Sequence, residues 1–282
     1  MLQKDELMKD IQNSIDKRRI PIQKVGIKGL RYPITVLDRA NKTQNTVAEI
    51  NMYVDLPHHF KGTHMSRFIE IINKFHGAIS FEKIENILEQ MIKVFRSQTS
   101  HIEIRFPYFI EKTAPVSGLK SLMDYECAFI AGMVTDKKKN RLDLVLEVGV
   151  PVTMVCPCSK AISKQGAHNQ RSKITVRVRS RKLIWIEELI EIAESEGSAP
   201  VYALLKREDE KFVTEHAYAN PRFAEDAVRG VAVKLAKDPR ILWYEVESEN
   251  MESIHNHNAY ALVSSSLQKK RNFKVFSCTA KN

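Results

Sequence analysis

Between Leu142 and Met154 every second residue is apolar: Leu142, Leu144, Leu146, Val148, Val150, Val152 and Met154. A two-residue period sustained over this length puts all of these side chains on one face of an extended strand. A chain carrying such a strand has to pair it with neighbours and cover its apolar face with a second layer. The strand leads directly into Cys156-Pro157-Cys158-Ser159-Lys160. Gly166-Ala167-His168-Asn169-Gln170-Arg171 follows, and then a second alternating strand. The connection is predicted as a loop on a rigid support, a placement that suits reactive groups.

The rest of the chain can be read around this strand. Leu30, Tyr32, Ile34 and Val36 mark an extended segment over 24–38. Ala48, Ile50, Met52, Val54 and Leu56 alternate with Glu49, Asn51, Tyr53 and Asp55 as a half-buried strand, broken at 57–63. A helix is predicted from Ser66, with Phe68, Ile71, Ile72 and Phe75 inward and Gly77 at its end. A second helix follows a Ser80 cap, with Ile84, Ile87, Leu88, Met91, Ile92 and Phe95 on one face. Strands are predicted near 102–106 and 125–134, with Lys137-Lys138-Lys139-Asn140 as a solvated turn.

The second half repeats the order. Strands at 142–155 and 173–180 precede a helix holding Ile186, Leu189, Ile190 and Ala193. A long polar segment, a helix near 222–237 and strands near 241–247 and 257–267 complete it. Strand, strand, helix, helix, strand, strand, read twice, predicts an α+β protein with antiparallel sheets. Each half should be a four-stranded sheet with two helices on one face. The predicted division is an N-terminal arm (1–22), two modules (23–138 and 139–270, the second with the Cys/His site) and a C-terminal tail (271–282). Something must cover each sheet's other face, and self-association is the simplest cover.

Composition narrows the class. A formal net charge of +10 suits anionic partners such as phosphorylated metabolites or nucleic acid. The mixed-charge first twenty residues show no signal peptide, and no apolar run is long enough to span a bilayer. The cysteines, Cys127, Cys156, Cys158 and Cys278, do not read as a disulfide scaffold in a chain of this size. They point to a reducing, cytoplasmic compartment where thiols bind metal or react.

Thiols and an imidazole within a short span match the ligand preferences of zinc and similar metals. Pro157 fixes the backbone between Cys156 and Cys158 and turns their side chains apart, so one metal-bound thiolate beside one free thiol is easier to build than a chelate. A structural zinc knuckle needs four ligands, and no second cysteine pair exists. Asn169, Gln170 and Arg171 beside His168 supply amides and a planar cation for a polar heterocycle or a phosphate. His255-Asn256-His257 offers further imidazoles. Lys61-Gly62-Thr63-His64-Met65-Ser66-Arg67 puts cations and hydroxyls at a helix start, either a phosphate grip or a plain cap. Lys206-Arg207-Glu208-Asp209-Glu210-Lys211 reads as a charged turn. Glu225 and Asp226 read as first-turn acids that favour the helix dipole.

Taken together, these motifs strongly resemble the type IB GTP cyclohydrolases of prokaryotes. Val213-Thr214-Glu215 and Ile254-His255-Asn256-His257 add to the match, which runs from about 25 to 265. Gln165 departs from the pattern, where the family usually has an aromatic residue. The resemblance implies tandem tunnelling-fold modules whose sheets form barrels across the subunits of a homotetramer. It implies conversion of GTP and water to 7,8-dihydroneopterin triphosphate and formate, the entry to folate synthesis. It also implies one divalent metal per site (Zn, Mn or Fe), with Glu210 and His255 joining Cys156 as ligands. Cys156, Cys158 and His168 become the catalytic groups, and Glu225 becomes a buried carboxylate that grips the guanine edge. His64, Arg67, Lys160 and Arg171 are left for the triphosphate. An archaeal relative that stops at a cyclic phosphate and a nitrile reductase of the same fold remain open alternatives. A zinc-stabilised nucleic-acid binder would want an aromatic ladder among its cations, which the basic strand at Arg177 and Arg179 lacks. Neither nucleic acid nor membrane is an expected partner.

Overall fold

The computed structural model describes residue 12 and residues 14–75, 78–136 and 139–265. The first half runs β1 (Ile22–Asp38), β2 (Lys42–Leu56), α1 (Ser66–Ile72), β3 (Ala78–Ile79), α2 (Phe81–Phe95), β4 (Thr99–Thr113) and β5 (Lys120–Asp136). The second runs β6 (Lys139–Val155), α3 (Pro157–Ile162), β7 (Asn169–Ser180), α4 (Ile186–Glu194), β8 (Ala199–Pro200), α5 (Arg207–Ala219), α6 (Ala224–Lys237), β9 (Ile241–Asn250) and β10 (Ala259–Ser264). Val148, Val150, Val152 and Met154 of the long alternating strand are completely buried, as are Ile50, Met52, Ile102 and Ile104. Each such side chain contributes about 1.5–3 kcal/mol on leaving water. The helices α1, α2, α4 and α6 lie over this face of the sheet and share one continuous core with it. Ser80 caps α2 as predicted, accepting from the Lys83 amide at 3.3 Å.

Several expectations change. The two halves are not separate four-stranded sheets. A single ten-stranded sheet has the order β10-β9-β7-β6-β5-β4-β2-β1-β3, with β8 paired to β6. The seam is the β5–β6 pairing, in register from Glu126 opposite Gly149 to Asp136 opposite Lys139. Consecutive strands joined by a short turn pair directly and leave no unpaired ladder between the halves. Lys139 and Asn140 belong to that ladder rather than to the turn, while Lys137 and Lys138 lie outside the described residues, as do Gly77, Leu267, Cys278 and most of the predicted arm.

The loop after β6 contains α3, and β7 begins early enough that Asn169, Gln170 and Arg171 are strand residues opposite Val155, Met154 and Thr153. The charged turn at 206–211 opens helix α5 instead. Only Asp209 and Ala217 of α5 are buried, so it has no apolar stripe for periodicity to detect.

The face away from the helices carries a lattice of ion pairs. Glu147 on β6 receives Arg105 at 2.8 Å and Arg177 at 2.5 Å. Arg177 also reaches Glu245 and Glu247, each at 3.1 Å, and Arg179 pairs with Asp143 at 2.5 Å. This lattice ties β4, β6, β7 and β9 together, and the same face also leaves Val47, Phe109, Leu122 and Leu262 exposed. Burial works against ionisation of Glu147, but hydrogen bonds from Arg105 and Arg177 outweigh it and hold the carboxyl below the usual range.

Candidate active site

The chemistry gathers at the end of the sheet where β6 finishes. Short backbone bonds draw separate segments to that point. Cys156 N donates to His168 O at 3.1 Å, Arg222 N to Val155 O at 3.0 Å, Met251 N to Arg171 O at 3.0 Å and Ser198 N to Thr153 O at 2.9 Å. The connection 156–168, the start of α6 and the β9–β10 loop therefore meet at one end of the sheet.

Cys156 stops β6 and caps α3, its Sγ accepting from Ser159 N at 3.4 Å, with Pro157 at the helix start. Its fixed φ suits the first helical turn. Cys156 is half-buried and Cys158 exposed, both as free thiols. The two sulfurs have different environments, as the intervening proline predicts.

His168 is placed by bonds on both sides. Its N donates to Ser159 Oγ at 3.1 Å, and its Nδ1 lies 3.0 Å from Gln170 Oε1. Gln170 Nε2 donates to Glu252 Oε1 at 3.1 Å, and Glu252 Oε2 is 3.8 Å from His168 Nδ1. A proton on Nδ1 satisfies this arrangement and leaves Nε2 as an acceptor for a reacting group. Sequence reasoning missed Glu252 altogether and credited Gln170 only as a substrate contact. His168 and Gln170 stand two residues apart, a spacing that shares a face in extended chain. Nothing local marks Glu252, which a strand pairing delivers.

The remaining candidates divide. Lys160 Nζ donates to Tyr218 O at 2.5 Å and lies 4.4 Å from the Tyr218 ring centroid. Arg171 is exposed on β7, and Glu210 is exposed in the first turn of α5. His255 and His257 are exposed, with rings stacked at 5.2 Å. Glu225 sits in the first turn of α6 as predicted, but it is exposed in this chain rather than buried.

His64 and Arg67 follow the end of β2, which the pairings Val54–Ser100, Thr99–Val134 and Val134–Arg141 connect to the start of β6. They stand at the opposite end of the sheet from Cys156, so one chain does not bring them to the thiols. Cys156, Glu210 and His255 carry the donor chemistry a zinc-like ion selects. Yet among the described residues no three His, Cys, Asp or Glu side chains converge on one point. The donor types fit a metal, while the geometry of a single chain does not close the site.

Fold and site together define the class: an α+β enzyme of the tunnelling fold, with thiol and imidazole at the end of a long central strand. Solved structures place the fold. A highly active mutant of Bacillus sp. TB-90 urate oxidase aligns with a TM-score of 0.55 at 9% identity, covering 87% of this chain and 100% of that one. Urate oxidase from Bacillus subtilis 168 aligns at 0.51 and 8%, covering 86% and 98%.

Sequence comparison is far more specific. The profile of type I GTP cyclohydrolase folE2 matches residues 8–261. GTP cyclohydrolase FolE2 of Syntrophus aciditrophicus (strain SB) is 60% identical over 256 residues, 91% of this chain and 99% of that protein. The Geotalea uraniireducens (strain Rf4) protein of the same name is 57% identical, covering 91% and 93%. The chain belongs to the type I GTP cyclohydrolase folE2 family. Among the described residues, no helix is long and apolar enough to cross a membrane.

Proposed function

We propose that the chain hydrolyses GTP to 7,8-dihydroneopterin triphosphate and formate, the first step of folate biosynthesis, in the reducing cytoplasm. The observation that carries the reading is the convergence of Cys156 and the Gln170- and Glu252-oriented His168 at the end of β6, in a chain of this family. In the reaction, one water opens the C8–N9 bond of guanine to a formamide and a second cleaves that formamide, so that C8 leaves as formate. The opened, rearranged ribose then condenses with the freed amine and expels one water, which closes the pterin ring and leaves a net consumption of one water. His168 Nε2 takes and returns the protons this requires, with the exposed Cys158 thiol as its partner. Glu225 accepts from the amide and amine edge of guanine. Lys160 and Arg171, with His64 and Arg67 supplied by another copy, neutralise the triphosphate. Cys156, Glu210 and His255 would hold one divalent ion, whose contribution is a water acidified toward neutrality.

The chain is a homo-oligomer in this reading, since His64 and Arg67 reach the Cys156 end only across a subunit boundary. A tetramer built from modules 23–138 and 139–270 satisfies that requirement. The decisive test is incubation of the purified, metal-loaded protein with GTP. Formate and a fluorescent pterin after oxidation are the expected products. A cyclic phosphate product, or no pterin at all, would overturn the proposal.

A further inference from the structure

Asp209 is completely buried, next to the exposed Glu210. Its Oδ1 accepts from Val116 N at 2.8 Å and Ser117 N at 2.9 Å. Its Oδ2 accepts from Ser117 Oγ at 2.6 Å and Lys206 N at 2.9 Å. The first pair of bonds belongs to the β4–β5 turn, which is closed by Ala114 N donating to Leu119 O at 2.8 Å and by Gly118 at φ 70°. The Lys206 bond caps α5, whose ladder begins with Glu210 N donating to Lys206 O at 2.9 Å. One carboxylate thus bonds a turn from the first half of the chain through both oxygens and a helix start from the second half through Oδ2.

We propose that Asp209 is a positioning residue for Glu210, clamping the first turn of α5 to the β4–β5 turn so that the Glu210 side chain is held at a fixed helical phase. This rests on the proposed role of Glu210. A buried carboxylate with all its bonds made has no freedom to turn, and the residue after it in a helix inherits that constraint. Capping alone needs only the Lys206 bond, and the three bonds to 116–117 are what tie the helix to a different part of the fold. A side chain that must meet a substrate or an ion within a fraction of an ångström loses rate steeply when its helix shifts.

Asp209→Asn is the informative variant. An amide keeps one acceptor oxygen for Val116 and Ser117 but offers no acceptor at the second position, so it cuts the helix from the turn. The expected result is kcat down about tenfold with KM for GTP within about twofold. Amide hydrogen exchange over 206–210 should speed up about tenfold, with α6 unchanged. Ser117→Ala removes one bond and should lower kcat about threefold at constant KM, which serves if Asp209→Asn does not fold. Wild-type kcat in either variant beside an inactive Glu210→Gln, or a raised KM at constant kcat, overturns the positioning role. A fully active Glu210→Gln removes the group being positioned and counts against the reading of function instead.

Discussion

At the scale of the residue, the division of labour between the two thiols is the most exposed claim. Cys156 ends a rigid strand, is half-buried and accepts a backbone bond, whereas Cys158 is solvent-exposed one residue beyond a proline. Cys156→Ala is expected to lose bound metal and turnover together, because a three-ligand site tolerates loss of its thiolate poorly. Cys158→Ala should retain most of its metal and lose kcat. Metal per subunit by elemental analysis, read beside kcat, decides this, and equal metal loss in both variants would mean a shared chelate. The thiols, the imidazole and their spacing were legible in the chain, because neighbours in sequence are neighbours in space. Glu252 was not. It lies 84 positions beyond His168 (252 − 168) and reaches it only because β9 pairs with β7.

At the scale of the element, α4 shows how the halves are joined. Along one side it presents Glu187, Glu191 and Glu194 to the first half. Glu187 Oε1 accepts from Tyr108 OH at 2.7 Å and Arg39 N at 2.8 Å, Arg39 pairs with Glu191, and Glu194 accepts from Lys112 at 2.7 Å and Tyr125 OH at 2.8 Å. Burial, then the Glu187 carboxylate, pushes the Tyr108 phenol far above its usual pKa, so it stays a donor. Both bonds to Glu187 use the same oxygen, and its Oε2 is buried without a hydrogen-bond partner among the described residues. Glu187→Gln should therefore cost under about 1 kcal/mol, while Glu187→Ala, which strands two donors, should cost about 2–4 kcal/mol. Urea unfolding of both variants reads the difference, and equal losses would refute this account of the clasp. The helix itself was foreseeable from Ile186, Leu189, Ile190 and Ala193. Its acidic side looked like ordinary solvated charge, because only tertiary packing brings Tyr108 and Arg39 to it.

At the scale of the whole molecule, the charged face of the sheet makes stability depend on acid. The folded Glu147 carboxyl titrates below its unfolded value. Its contribution is therefore complete above the ordinary glutamate pKa of about 4.3 and is lost as pH falls through the lower, folded value. Thermal melts should show Tm falling below about pH 4, and Glu147→Gln should flatten that limb while lowering Tm at neutral pH. An unchanged acid limb would remove the lattice from the explanation. Assembly gives the second test at this scale. Arg67→Ala and Cys156→Ala, each inactive alone, should regain up to about a quarter of wild-type activity when unfolded and refolded together, because a site drawing on two copies is intact only where the two unmutated copies meet. No recovery would mean that each chain holds a whole site. The sequence by itself determined the strands, the helices that cover them, the order in which they recur and the thiol–imidazole cluster, since alternation, helical periodicity and short-range spacing are local properties of a polymer. Tertiary structure alone decided that the two sheets are one, that a featureless charged segment is α5 held by Asp209, that Glu252 orients His168, and that His64 and Arg67 stand at the far end. Each of those outcomes follows from which strands pair, and pairing is settled by packing between segments that carry no record of one another.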